Sequence, residues 1–505
     1  MSPTTSQEKA KHVRPPIVAV LGHVDHGKST LLDYIRKSNT VDGEAGGITQ
    51  HVAAYEAEHR LKDGTQKRIT FIDTPGHAAF TAIRKRGASI ADVAILVVSA
   101  EDGVKEQTIE ALGSIRESGI PFVVAITKID KPNADVEKTK TSLLKNEIYI
   151  EGLGGDVPWT AVSSKTGEGI PELLEILLLV AEMENVTGQP EKEAEGFVIE
   201  SHRDPKRGIA ATLIITDGSM RSGMAVVSGG ALAPLRIMEN FTGATLKEAS
   251  FSSPVRVYGF DSLPEVGAPF KAYKNKKVAE VARQEHILHA PKKQQVVESR
   301  EEGTFVLPII VKADTTGSLE AIVGQTQTLT TARARIRVIH SGIGSISEND
   351  VKGALSSRAD VIIIGFNVSV DSAAEELARQ NNVSVETFSI IYDLTERLSE
   401  ILKKWTPKHT VEDILGHAKV VRVFSQKKTS TVLGGKVQDG YLSANHLVNV
   451  LRRDIKIGVG KLQNIQTQKQ DVARVDEGGE FGAQIKSEFE IAPGDTLECF
   501  TEREE

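Results

Sequence analysis

The chain of 505 residues has a single cysteine, Cys499, so no disulfide can close within it. That suits a reducing compartment, and a cytoplasmic location is expected. No apolar run approaches the ~20 residues that cross a bilayer, so no membrane partner is expected. The opening "MSPTTSQEKAKHVRPP" lacks the apolar core of a signal peptide and reads as a disordered lead over 1–16. Positive charge is in deficit: 61 Lys and Arg face 68 Asp and Glu, a net −7, which does not advertise nucleic-acid binding. Locally the balance changes. Residues 408–475 hold 12 basic against 5 acidic side chains, and residues 476–505 hold 2 against 10. That is the pattern of a phosphate-facing surface beside a solvated acidic tail, although two ordinary solvated faces would read the same.

A single core rarely grows beyond ~250–300 residues, so several domains are expected. Over 17–185, apolar runs such as "IVAVLG", "ITFIDTPG", "VAILVVSA" and "PFVVAITK" alternate with helical patterns. Continuous β-branched runs are strands buried on both faces, which predicts a parallel sheet wrapped by helices. Over 196–273 the strands shorten and the turns carry Gly or Pro, the text of a small β-barrel. Similar text returns over 408–501, where "QDGYLSANHLVNV" echoes "TDGSMRSGMAVV", so two barrels on one plan are expected. Between them lie a Lys-rich linker helix over 274–302 and a second, α/β/α domain over 303–389. A connecting helix follows over 390–407, its apolar residues at helical spacing up to Pro407.

Chemistry concentrates in the first domain. "GHVDHGKS", Gly22 to Ser29, matches G-x-x-x-x-G-K-[ST] after a strand and before a helix, the context in which backbone amides cradle phosphates. Gly22 and Gly27 allow close backbone approach, Lys28 supplies a cation, and Ser29 can bind Mg²⁺. "FIDTPGH" ends another strand. There Asp73 is placed to hold the metal, and the turn at Gly76 offers an N–H to a γ-phosphate. In "GGITQH", Thr49 brings a hydroxyl to the metal from a loop that Gly46 and Gly47 leave free to reorder. "TKID" supplies Thr127, Lys128 and Asp130, whose carboxylate can accept both donors on the edge of guanine. Alone it would be a helix cap; in register with the phosphate motifs it is a base reader. "SSK", Ser163, Ser164 and Lys165, would close that pocket.

Together "GHVDHGK", "DTPGHAAF" and "AGGITQH" resemble the translational GTPases. "VKADTTGSLEAI" and "GIGSISENDV" narrow the resemblance to the bacterial translation initiation factor two family, across about 490 residues. The resemblance implies a P-loop GTPase domain, barrel, α/β/α domain, connecting helix and terminal barrel. It implies GTP and GDP with Mg²⁺ as ligands. His23, Val24, Asp25, His26 and Thr30 would complete the phosphate loop, with Ser29, Thr49 and Asp73 at the metal. His77 would be aimed at the attacking water by the ribosome, through an apolar gate of Val24 and Ile48. Both ribosomal subunits and initiator tRNA would be partners, the tRNA on the last barrel, and the chain is expected to be a monomer. Two other readings compete: an RNA-binding scaffold with a static nucleotide, which would have no use for His77, and a tRNA-carrying elongation-type GTPase, against which the α/β domain between the barrels argues.

The chain departs from the family pattern in three places. Thr127 replaces the usual Asn; its shorter side chain can supply one bond between base pocket and phosphate loop. The family's long N-terminal extension does not precede these motifs, which puts extra anchoring on the small subunit in doubt. In the last barrel, Gly434-Gly435 replaces Gly-Cys, Phe481 stands for a second Cys, and Gln466, Thr467 and Gln468 align with a basic-aromatic run. Initiator binding with a weaker preference for the formylated form is expected.

Overall fold

The computed structural model describes residues 12–37, 49–289, 305–331, 334–357, 360–405, 410–427 and 429–504. The chain divides into two compact units, residues 1–405 and 406–505.

In the first unit, six strands lie in the order Ala53–Arg60, Gln66–Asp73, Ile17–Gly22, Val93–Ser99, Phe122–Thr127, Trp159–Ala161. Only the first pair is antiparallel. Both central strands are buried along their whole length. Alternate residues of Ile17–Gly22 point to opposite faces. Ile17, Ala19 and Leu21 meet the helices Thr81–Ile90, Glu106–Ser118 and Val136–Lys145, while Val18 and Val20 meet Lys28–Arg36 and Ile170–Met183. A doubly wound sheet of this kind gathers its functional loops at the carboxyl ends of its strands. Gly22, Asp73 and Thr127 each stand at such an end.

The lead expected to be disordered over 1–16 is ordered from residue 12. His12–Val13 pairs antiparallel with Thr187–Gly188, and Arg14 makes an ion pair with Asp92 at 2.6 Å, the two side chains only 10% and 14% exposed. A partner 78 positions away is what holds this polar segment. Residues 1–11 lie outside those described.

Seven antiparallel strands follow, in the order Ala231–Pro234, Ala225–Ser228, Pro269–Tyr273, Glu195–Asp204, Gly208–Asp217, Pro254–Phe260, Met238–Glu239. They curl around one apolar core. The seam is tied at Asp261, whose N–H donates to the Leu232 carbonyl (3.1 Å) and whose carboxylate accepts from the Leu232 N–H (3.0 Å). Of the expected linker helix, Lys276–His289 is helical and docks on this barrel through Ala279, against Val227 and Leu232. Residues 290–302 lie outside the described residues.

The next layer is a parallel four-stranded sheet in the order Ala334–Ile343, Phe305–Ala313, Ile362–Phe366, Ser384–Phe388. Glu348–Leu355 and Ser372–Gln380 cover one face. Thr316–Thr328 and Ile391–Trp405 cover the other, in a core shared with Phe80 and Ile83 of the first domain. The connecting helix thus proves to be a packed wall of this layer rather than a bare connector. Its stripe of Ile391, Leu394, Leu398, Ile401 and Leu402 is buried in that core. Residues 406 and 407 of the expected helix are outside the described set.

The second unit is a closed antiparallel barrel: Thr410–Lys427, Thr496–Glu504, Leu447–Arg452, Ile455–Thr467, Glu480–Lys486 and Ser430–Ser443, which returns to pair with the first. Strand by strand this is the circular order of the other barrel, so the textual echo has a topological counterpart. Gly435 lies directly across from Phe481. A Cβ at 435 would stand 2.3 Å from the Lys419 carbonyl oxygen and 2.9 Å from the Phe481 ring, and Phe481 is itself buried. The ring covers the glycine, so these two departures exchange volume inside the barrel. Among the described residues no helix is long and apolar enough to cross a membrane.

Candidate functional site

The strand Ile17–Gly22 hands over to a loop that opens the helix Lys28–Arg36. Asp25 and Gly27 take left-handed backbone conformations (φ 62° and 85°), which curl the loop above the helix N-terminus. The Lys28 ammonium folds back onto the His23 carbonyl oxygen at 2.6 Å. Burial brings it down to about 8, against the pull of the Asp73 carboxylate, while Arg84 adds to the lowering. Gly76 has no room for a side chain: a Cβ would sit 2.5 Å from Lys28 Nζ and 3.0 Å from the Val24 nitrogen. The turn after Asp73 therefore presses directly on the phosphate loop.

A cavity of about 270 Å³ opens here. Of the expected site residues, Val24, Asp25, Gly27, Lys28, Ser29, Thr30, Thr49, Gly76, His77 and Lys128 line it. The Ser29 and Thr49 hydroxyls hydrogen-bond each other at 2.5 Å. Among the described residues no cluster of three or more His, Cys, Asp or Glu could hold a metal. The two hydroxyls are hard oxygen donors of the kind that suits Mg²⁺ when substrate phosphates complete its shell. Asp73, the third expected metal residue, does not line the cavity but is buried at its strand end within electrostatic reach of Lys28. Ile48, with Gly46 and Gly47, lies outside the described residues.

Within the loop, His23 and His26 meet edge to face at 4.8 Å between ring centroids. Burial, helped by His23, takes His26 down to about 3, so it is neutral in ordinary buffers. Thr127 is buried under the same loop and donates its hydroxyl to the His26 carbonyl at 2.5 Å. One strand end is thereby tied to the phosphate loop. Beyond it, Lys128 (φ 62°) turns the chain, and Asp130 is exposed, accepting from the Ser163 hydroxyl at 2.7 Å. That bond holds the Asp130 carboxyl below its ordinary value, so it stays an acceptor. The Ser163 oxygen also accepts from the Lys165 N–H (3.3 Å), and Ser164 lies half-buried between the two.

His77 stands at the rim. Its Nδ1 accepts from the Ala79 N–H at 2.8 Å, which leaves the neutral ring a donor at Nε2. Burial, then the positive charge of Arg84, lower its pKa. Four supporting residues are assigned no role by the sequence motifs. Arg84, fully buried, pairs with Glu110 at 2.7 Å and donates to the carbonyls of Pro75 and His77, bracing the turn. Gln107 accepts from the Val24 N–H at 2.9 Å. Gln50 donates to the Ser389 carbonyl (2.9 Å) and accepts from the Ile391 N–H (3.3 Å). The Tyr392 ring meets His77 edge to face at 4.2 Å. Only Gln50 lies in a recognised motif, "GGITQH"; the others become visible when distant elements are brought together.

Three family models match consecutive parts of the chain: the GTP-binding domain of elongation factor Tu over 14–183, domain 2 of elongation factor G over 193–272, and translation-initiation factor 2 over 282–399. A translation initiation factor IF-2 of Parvibaculum lavamentivorans is 39% identical over 504 residues, covering 98% of this chain and 56% of that protein. The chain thus spans little more than half the length of such relatives. The IF-2 of Rubrobacter xylanophilus is 39% identical over 497 residues, covering 96% of this chain and 71% of the relative. The crystal structure of GDP-bound aIF5B from Aeropyrum pernix is 27% identical and covers 97% of this chain and 92% of its own, with a TM-score of 0.47, too loose for the fold to be argued from it. Identity of this level, along nearly the whole chain and most of the Rubrobacter relative, makes the chain a member of the translation initiation factor IF-2 family.

Proposed function

We propose that the chain hydrolyses GTP to GDP and phosphate during translation initiation, slowly by itself and fast on the ribosome. The observation that carries this reading is the meeting, around one cavity, of the phosphate loop, the Ser29–Thr49 hydroxyl pair and His77. Loop amides and Lys28 would hold the β- and γ-phosphates. Ser29, Thr49 and Asp73 would hold Mg²⁺, which when bound neutralises charge on the phosphate oxygens. His77 would orient the attacking water through Nε2–H, its Nδ1 being occupied by Ala79. Val24, which lines the cavity with Gly76 and His77, would shield that approach, and the family resemblance assigns Ile48 to the same gate. Asp130 would read guanine, with Thr127, Lys128 and the Ser163–Lys165 turn shaping the base pocket.

The last barrel would bind the acceptor end of initiator tRNA, and the factor, a monomer, would bring the two ribosomal subunits together. The test is subunit joining followed by light scattering with initiator tRNA. Joining should be fast with GTP and slow with GDP. Equal rates with both nucleotides would reject the reading.

A further inference from the structure

The helix Ile391–Trp405 has a second face. Its core stripe, Ile391, Leu394, Leu398, Ile401 and Leu402, accounts for its packing on the four-stranded sheet. Tyr392 is outside that stripe and 44% exposed, so core packing does not explain where it sits. Its ring lies against His77 with centroids 4.2 Å apart and planes at 76°. The phenol is pushed up by burial and by the Asp25 carboxylate of the phosphate loop. The start of the helix is also fixed. The Gln50 side chain, one residue after Thr49, spans the Ser389 carbonyl and the Ile391 N–H.

His77 is thus restrained from two directions. Ala79 holds Nδ1, which sets the tautomer. Another contact must limit swinging of the ring about its side-chain bonds, since a single hydrogen bond leaves that motion open. Phe80 is farther away, at 6.2 Å between centroids. We propose that Tyr392 is a positioning residue for hydrolysis: its ring fixes the orientation of His77, and Gln50 fixes the helix turn that carries it. This rests on the reading of His77 as the water-orienting group. It adds that the aim of this group is set by an element more than 300 positions away in the chain.

An edge-to-face aromatic pair contributes enough to hold a ring but not to create a site, so the effect should be about three- to tenfold in rate. The experiment measures ribosome-stimulated turnover and GTP affinity for the parent, Tyr392→Ala, Tyr392→Phe, His77→Ala and the double variant His77→Ala/Tyr392→Ala. Tyr392→Ala should lower kcat about three- to tenfold with GTP affinity within about twofold, and Tyr392→Phe should restore the rate. On the His77→Ala background the second change should cost nothing further, because the ring has nothing left to aim. Parent-like turnover in Tyr392→Ala, failure of Phe to restore it, or losses that multiply in the double variant would overturn the proposal and leave the role of His77 intact. Parent-like turnover in His77→Ala would instead reject the reading beneath it, and this proposal with it. Should Tyr392→Ala fold poorly, the imidazole resonances of ¹³C-labelled histidine report directly. The His77 signal should lose its ring-current shift in Tyr392→Leu, and an unmoved signal would overturn the proposal.

Discussion

Thr127 has one hydroxyl proton, and it goes to the His26 carbonyl. Replacing the hydroxyl by a methyl in Thr127→Val leaves that buried carbonyl without its partner, at a cost of about 1–3 kcal/mol. Weaker GTP binding and a lower melting temperature should follow, measurable by nucleotide titration and calorimetry; parent-like values in both would show that the tie carries no energy. Asp130 makes a sharper case. As a carboxylate it would accept from the N–H and NH₂ of guanine, whereas an amide would match xanthine. Asp130→Asn should therefore lose GTP and gain XTP in competition binding, and a variant that still prefers GTP would contradict the assignment. These residues are legible in the sequence because phosphate and base chemistry need fixed residue types at fixed spacing. Arg84, Gln107 and Tyr392 have no such spacing. What selects them is contact across the fold, and an arginine in a helix or a glutamine after a turn looks the same wherever it points.

At the scale of elements, periodicity shows that a helix has an apolar face but not what that face meets. Ile391–Trp405 therefore reads as a connector in the sequence, whereas in the structure its stripe closes the core of a sheet. The Arg14–Asp92 pair orders a lead whose composition reads as disordered, for the same reason. The junction between the first barrel and the second α/β layer also carries a titratable cluster, of which only His51 belongs to a recognised motif. Glu200 is pushed up to about 8 by burial and by Asp314, partly offset by Arg256 and a Thr315 hydrogen bond. His51, directly after Gln50, lies 3.3 Å from Asp314 and 3.9 Å from Glu200. Between the ordinary glutamate value of 4.5 and about 8 the folded state holds the Glu200 proton that the unfolded chain has released. Its contribution to stability is present below that window and is lost as pH rises through it. Glu200→Gln cannot ionise, so its melting temperature should fall less than the parent's between pH 5 and pH 8. Parallel curves would show that the glutamate titrates normally.

For the whole molecule, alternating text correctly anticipates the order of sheets and barrels, because each architecture has its own strand length and turn chemistry. It does not anticipate that residues 1–405 form one compact unit and the last barrel another. The Gly435–Phe481 exchange lies inside that barrel, so the departures that bear on ligand recognition are the exposed Gln466 and Gln468, with Thr467 between them. On the expected alignment they stand in place of cations and a ring. Protection of the aminoacyl ester of initiator tRNA should therefore fall steeply with salt but favour the formylated form only weakly. Strong formyl preference at every salt concentration would show the pocket to be intact. The central claim, a hydrolytic site built by the first unit and completed by the ribosome, is tested most directly by GTP turnover with and without bacterial ribosomes, for the parent and His77→Ala. The parent should accelerate by roughly 10³–10⁵ on ribosomes, and His77→Ala should lose most of that gain while still binding GTP. Turnover that ribosomes do not change, or equal stimulation of both proteins, would contradict the account.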